Sequence, residues 1–116
     1  MKKIVALAAL ALAPVLFVNP AHADEALAKA KGCTACHSVD KKLVGPAYNA
    51  VAACYPNADK ATKEKLHKHI KAGGSGVFGP VPMPGHPQVS DADIDKLVNW
   101  VLTLKGGTCP KEFKKS

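Results

Sequence analysis

The chain has 116 residues and a formal net charge of +7, and all 16 of its basic residues are lysines. That length suits one small domain and excludes a large enzyme with separate binding and catalytic lobes. The lack of arginine, and of an aromatic-rich stripe on which bases could stack, argues against a nucleic-acid partner.

The chain opens on a segment that predicts its own removal. Lys2 and Lys3 give a basic start, residues 4–18 form an uncharged apolar run of 15, and Ala21-His22-Ala23 places small residues at the two positions a signal peptidase reads. Residues 1–23 therefore read as a secretory signal peptide, which makes the periplasm the expected compartment. An uncleaved anchor is the competing reading, and the Ala-His-Ala site weighs against it. Residues 24–116 are then the mature domain of 93 residues, with 106–116 as a C-terminal tail. The apolar run falls short of the roughly 20 residues that span a bilayer, so no membrane span is expected.

The first helix is expected from Asp24 and Glu25, whose charges complement a helix N-terminus, to about Lys31, with Gly32 ending it. Next comes Cys33-Thr34-Ala35-Cys36-His37, the attachment motif of haem c. Each thiol can add to one vinyl group of the same porphyrin, and the following imidazole then points at the iron. A thioredoxin-like thiol pair needs a βαβ context, and half of a zinc site needs a second ligand pair; Cys54 and Cys109 stand alone. Pro46 is expected in the first turn of a second helix carrying Tyr48, Val51 and Ala52, stopped by Pro56. A third helix is expected over residues 59–72, from Leu66 and Ile70 with Thr62 one turn earlier, closed by Gly73-Gly74.

Residues 73–89 hold five Gly and four Pro, and they show too little pattern for regular structure. A stiff loop of that length in so small a domain usually has a function. It contains Met83, the one methionine left after the signal is removed. An iron held by His37 needs a sixth ligand to be a closed electron-transfer centre, and a thioether between Pro82 and Pro84 is soft and cheaply ordered. Met83 is therefore the expected distal ligand; the competing reading is a methionine that fills the core. The last helix is the clearest: Ser90 as N-cap, Asp91, Asp93 and Asp95 at its positive end, and an apolar face of Ile94, Leu97, Val98, Val101 and Leu102 before Gly106-Gly107. No convincing strand pair is visible.

The run 31–37, then Val44-Gly45-Pro46-Ala47-Tyr48, then Gly76-Val77-Phe78-Gly79-Pro80-Val81-Pro82-Met83-Pro84, then Val89-Ser90-Asp91 leading to Trp100-Val101-Leu102, resembles a class I cytochrome c of the small bacterial c-551/c-552 type. The resemblance implies an all-α fold of about four short helices round one covalently attached haem c, with the first and last helices crossing. It implies a monohaem, one-electron carrier in the periplasm that is not an enzyme. Its partners would be an upstream cytochrome or quinol-oxidising complex and a terminal oxidase, nitrite reductase or peroxidase. Cys33 and Cys36 match the thioether sites, His37 the proximal ligand and Met83 the distal one. Pro46 matches the proline whose carbonyl accepts the proximal ring N–H, and Trp100 a core tryptophan.

Departures from that pattern carry expectations of their own. Phe78 stands where relatives often have a tryptophan that donates to a haem propionate, and it donates nothing. His69 occupies the position where relatives commonly put an Arg or His beside a propionate, and there its charge would act differently at different pH; the alternative is a solvated helix histidine like His67. His86, three residues past Met83, is read as exposed on the loop, with hydrogen bonding near the sulfur or replacement of it as the alternatives. Cys54 and Cys109 are additions whose simplest pairing is a disulfide pinning the tail, which contributes roughly 4 kcal/mol in the chain-entropy model. Intermolecular pairing or two free thiols is the alternative.

About +5 remains on the mature chain, which suits a salt-sensitive approach to acidic docking surfaces, or simply solubility. Sequence leaves undecided whether Lys41, Lys42, Lys60 and Lys71 share a face. A monomer is expected. Two other readings stay open: a haem subunit of a larger oxidoreductase, and a haem sensor or enzyme with a labile distal ligand.

Overall fold

The computed structural model describes residues 8–15 and 20–115. Residues 8–15 run without regular structure, with Leu10 and Leu12 exposed; the rest of the expected signal segment lies largely outside the described residues. Four helices and one short turn follow: α1 (Pro20–Ala30), a 3-10 turn (Cys33–Ala35), α2 (Tyr48–Cys54), α3 (Lys60–Ala72) and α4 (Asp91–Thr103).

The helix α4 is the spine on which α1, α2 and α3 all pack. Its sequence explains why: Ile94, Leu97, Val98 and Trp100 are all buried, at spacings that spread them over two adjoining faces. One face gathers Ala28 of α1 with Leu97 and Trp100, joined by Tyr48 and Cys33. The other gathers Val89, Ile94 and Val98 with Leu66 and Ile70 of α3. Ala28 is fully buried, and its small side chain lets α1 approach α4 closely. Ser90 caps α4 through its side chain, which accepts from the Asp93 N–H at 3.2 Å, and Asp59 caps α3 by accepting from the Thr62 N–H at 2.8 Å.

Several boundaries differ from those expected. The helix α1 begins at Pro20, a residue suited to a first helical turn, so Asp24 and Glu25 fall beyond that turn. Pro46 lies outside α2, whose N-cap is Ala47. The helix α4 stops at Thr103, where the Thr103 hydroxyl donates to the Trp100 carbonyl at 2.6 Å and Leu104 takes the cap position. The Gly- and Pro-rich loop is not wholly irregular: β1 (Gly73–Gly74) pairs antiparallel with β2 (Met83–Pro84), Gly74 opposite Met83. A two-residue pairing has no periodicity for a sequence to display. It needs Gly73, whose φ of +77° disfavours other residues and where a Cβ would meet the Met83 carbonyl oxygen at 2.5 Å.

Candidate functional site

Gly32, at φ 79°, turns the chain out of α1 and into the 3-10 turn that carries the Cys33–Cys36 pair. The His37 N–H donates back to the Cys33 carbonyl at 3.0 Å, which closes the turn beneath the imidazole. Neither cysteine is in a disulfide; both are half-buried and open into one cavity of about 360 Å³. Burial raises the Cys33 pKa, and a hydrogen bond with Tyr48 partly offsets the rise. Burial likewise pushes the Tyr48 phenol far up, so it is neutral throughout the ordinary range.

His37 is buried and faces the same cavity. Its Nδ1 lies 2.8 Å from the Pro46 carbonyl oxygen. A carbonyl can only accept, so Nδ1 carries the proton and Nε2 is left with a bare lone pair. The Tyr48 ring stacks on the imidazole, with centroids 4.9 Å apart, and Tyr48 in turn meets Trp100 edge-on at 5.5 Å. Burial lowers the His37 pKa, the Pro46 hydrogen bond pulls against that, and the nearby His86 ring adds to the lowering. A neutral imidazole of fixed tautomer and fixed ring plane is what a metal ligand requires.

The loop from Ser38 to Pro46 folds back to create this setting. Gly45 donates to the Cys36 carbonyl at 2.8 Å, and Tyr48 donates to the Ser38 carbonyl at 2.9 Å. Gly45 lies against the His37 ring so closely that a Cβ there would overlap the imidazole, 2.8 Å from Nδ1.

Met83, Leu66, Ile70, Leu97, Val98 and Val101 line the same cavity as Cys33, Cys36 and His37. The β1–β2 pairing fastens Met83 to the end of α3, and the His86 N–H donates to the Ile70 carbonyl at 2.9 Å. His69 also lines the cavity, its ring close over Gly74. His86 is not exposed as expected: it is half-buried, it lines the cavity, and its Nδ1 is buried without a hydrogen-bond partner. His67 is not simply solvated either. Its Nδ1 lies 2.7 Å from Asp95 and its Nε2 3.2 Å from Asp91, and both contacts raise its pKa.

These residues fit a covalently held porphyrin iron. They supply two thiols for attachment, a nitrogen donor from His37, a sulfur donor from Met83, apolar walls, and an orphaned imidazole nitrogen on His86 whose partner is not supplied by the protein. Among the described residues no group of three or more His, Cys, Asp or Glu could hold a metal ion, and the one sheet has two strands of two residues. The zinc and thioredoxin readings lose their support with those facts. No helix among the described residues is long and apolar enough to cross a membrane.

Cys54 at the end of α2 and Cys109 in the tail are joined by a disulfide, with Cα atoms 4.8 Å apart. Of the four lysines whose arrangement was open, Lys42 lines the cavity and pairs with Glu112 at 3.0 Å. Lys60 pairs with Glu64, and Lys71 reaches both Asp91 and the Val89 carbonyl. Sequence reasoning missed the stacking role of Tyr48 and the place of Glu112 in the cavity wall; neither has a local signal.

The cytochrome c family model matches residues 25–105. Cytochrome c-552 of Nitrosomonas europaea is 47% identical over 95 residues, covering 82% of this chain and 91% of the relative. Cytochrome c-551 of Stutzerimonas stutzeri is 49% identical over 107 residues, covering 90% of this chain and 100% of the relative. The crystal structure of N. europaea cytochrome c552 superposes with a TM-score of 0.66 at 49% identity, across 70% of this chain and 99% of that one.

Proposed function

The chain belongs to the cytochrome c family, whose members carry one covalently attached haem c, and from that premise we propose that it is a periplasmic monohaem electron carrier with His37 and Met83 as the axial ligands of the iron. The fold is that of class I cytochromes c, and the relatives are cytochromes c-551 and c-552. The observation that carries the ligand assignment is the single cavity into which Cys33, Cys36, His37 and Met83 all open.

In this reading the haem, when bound, supplies a one-electron couple. The protein's own residues do the rest. Cys33 and Cys36 hold the group covalently. Pro46 and Tyr48 fix the His37 ring, and the Pro46 carbonyl raises its basicity as a ligand. The β1–β2 pairing holds Met83 in place with little reorganisation, and Leu97, Val98 and Ile70 exclude water from the centre. With His37 and Met83 both holding the iron, no substrate site would be left there, so the chain is read as a carrier and not an enzyme.

The residues 1–23 act as the export signal in this reading, and residues 24–116 as the working domain. Val44 and Val81 line the cavity and are 58% and 59% exposed, giving an apolar rim suited to brief docking. The lysine excess steers the carrier toward redox partners with acidic surfaces. His69 on the cavity wall is the residue assigned to a propionate.

The test is the visible spectrum of the oxidised protein. Sulfur ligation to ferric haem gives a weak far-red charge-transfer band, expected in the wild-type chain and lost in Met83→Ala, which should then bind carbon monoxide readily. A wild-type protein without the band, or one that takes up carbon monoxide without denaturant, would favour the sensor or enzyme reading instead.

A further inference from the structure

The family match ends at residue 105, yet the chain continues, and residues 106–115 pack against the body. We propose that this extension is a strap belonging to the haem site: it is clamped by the Cys54–Cys109 disulfide and presses Phe113 onto Phe78, sealing that side of the cavity against water. The proposal rests on the carrier reading above and deepens it.

Five contacts carry it. The disulfide ties the strap to the end of α2. Gly107 lies directly on the backbone of Asn49 and Ala50, leaving no space between strap and helix. The Phe113 ring sits between Tyr55, edge-on at 5.3 Å, and Phe78, tilted at 5.2 Å. The Lys114 N–H donates to the Val77 carbonyl at 2.8 Å, so the strap is pinned on both sides of Phe113, by the disulfide before it and by this bond after it.

Phe78 is the residue through which the strap reaches the haem site, because it lines the cavity while Phe113 covers it. Glu112 lines the cavity directly and crosses to Lys42 on the loop after the haem motif. That ion pair is exposed and adds little strength; the disulfide and the aromatic contact hold the strap. Pro46, the partner of His37, borders a second cleft of about 270 Å³ that Gly107, Thr108 and Pro110 of the strap also line. The extension thus contributes Glu112 to the cavity wall and backs Phe78 with Phe113.

The consequence is a change in redox balance. The oxidised iron carries one more positive charge than the reduced iron, so admitted water favours the oxidised state and lowers the reduction potential. Phe113→Ala should lower the potential without changing any charge, while Phe113→Leu, which keeps an apolar cover, should stay near the wild-type value. In a Cys54→Ser/Cys109→Ser chain the strap is already released, so the potential should be low at the outset and Phe113→Ala should add nothing further. Native protein reduced with a dithiol and alkylated offers the same released state if that double variant is poorly recovered.

An unchanged potential in Phe113→Ala would overturn the seal, and an equal fall in the clamped and released backgrounds would overturn the clamp. The far-red band of the wild-type chain keeps the two readings apart: if it is absent, the carrier reading fails; if it is present and the potentials do not move, only the strap fails.

Discussion

At the scale of single residues, the site depends on what surrounds the His37 imidazole. One carbonyl, from Pro46, sets the tautomer; one ring, from Tyr48, sets the plane; and Gly45 leaves just enough room for both. A methyl group at position 45 has nowhere to go, because the ring is also walled by Tyr48 and cannot retreat. Gly45→Ala should therefore displace the imidazole from the Pro46 carbonyl and destabilise the protein by about 1–3 kcal/mol, the usual cost of overpacking. Denaturant unfolding measures the stability, and the ferric spectrum reports the ligand; a variant matching the wild type in both would show that the loop yields. The same crowding explains why His37 reads as a ligand and His67 does not. His67 sits on the outside of α3, where its two nitrogens are taken up by Asp91 and Asp95.

At the scale of elements, those aspartates make His67 a bridge between α3 and α4, with Lys71 also on Asp91 at 3.3 Å. The hydrogen bond to Asp95 is the largest cause of the raised His67 pKa. A histidine whose folded pKa lies above its unfolded value of about 6.5 stabilises fully below that value, and the contribution is lost as pH rises through the folded pKa. Unfolding free energy should therefore decline as pH rises above about 6.5 in the wild-type chain, and His67→Gln should remove that slope. Persistence of the slope in the variant would assign it elsewhere. Asp91 behaves in the opposite sense: its pKa is lowered, chiefly by Lys71, so its contribution is present at neutral pH and lost in acid. The β1–β2 pairing does for Met83 what this bridge does for the helices, fastening a loop to the end of α3 with two residues on each side.

At the scale of the whole molecule, α4 holds both halves of the core together, and the cavity lies where those halves meet. Leu97 belongs to the half shared with α1, Val98 to the half shared with α3, and both line the cavity. Ile94 is fully buried in the second half. Ile94→Ala should cost about 2–5 kcal/mol in a denaturant melt, the range for emptying a closed core position. A loss below about 1 kcal/mol would mean that α3 and α4 collapse into the space. The tail adds a further layer outside this core, joined to it by the disulfide.

How much of this was legible in the sequence depends on how far apart the cooperating residues lie. The Cys33-to-His37 motif, the lone Met83 between prolines, the Ser90 cap and the apolar face of α4 are local patterns, and covalent spacing or helical periodicity writes them into adjacent residues. From them the sequence by itself determined the fold class and the haem motif. Contacts between distant segments leave no such trace. The Met83–Gly74 pairing, the Tyr48 ring on His37, the inward turn of His86, the two aspartates on His67 and the strap over Phe78 were decided only by the tertiary structure, because each depends on which surfaces meet once α4 has gathered the other helices around it.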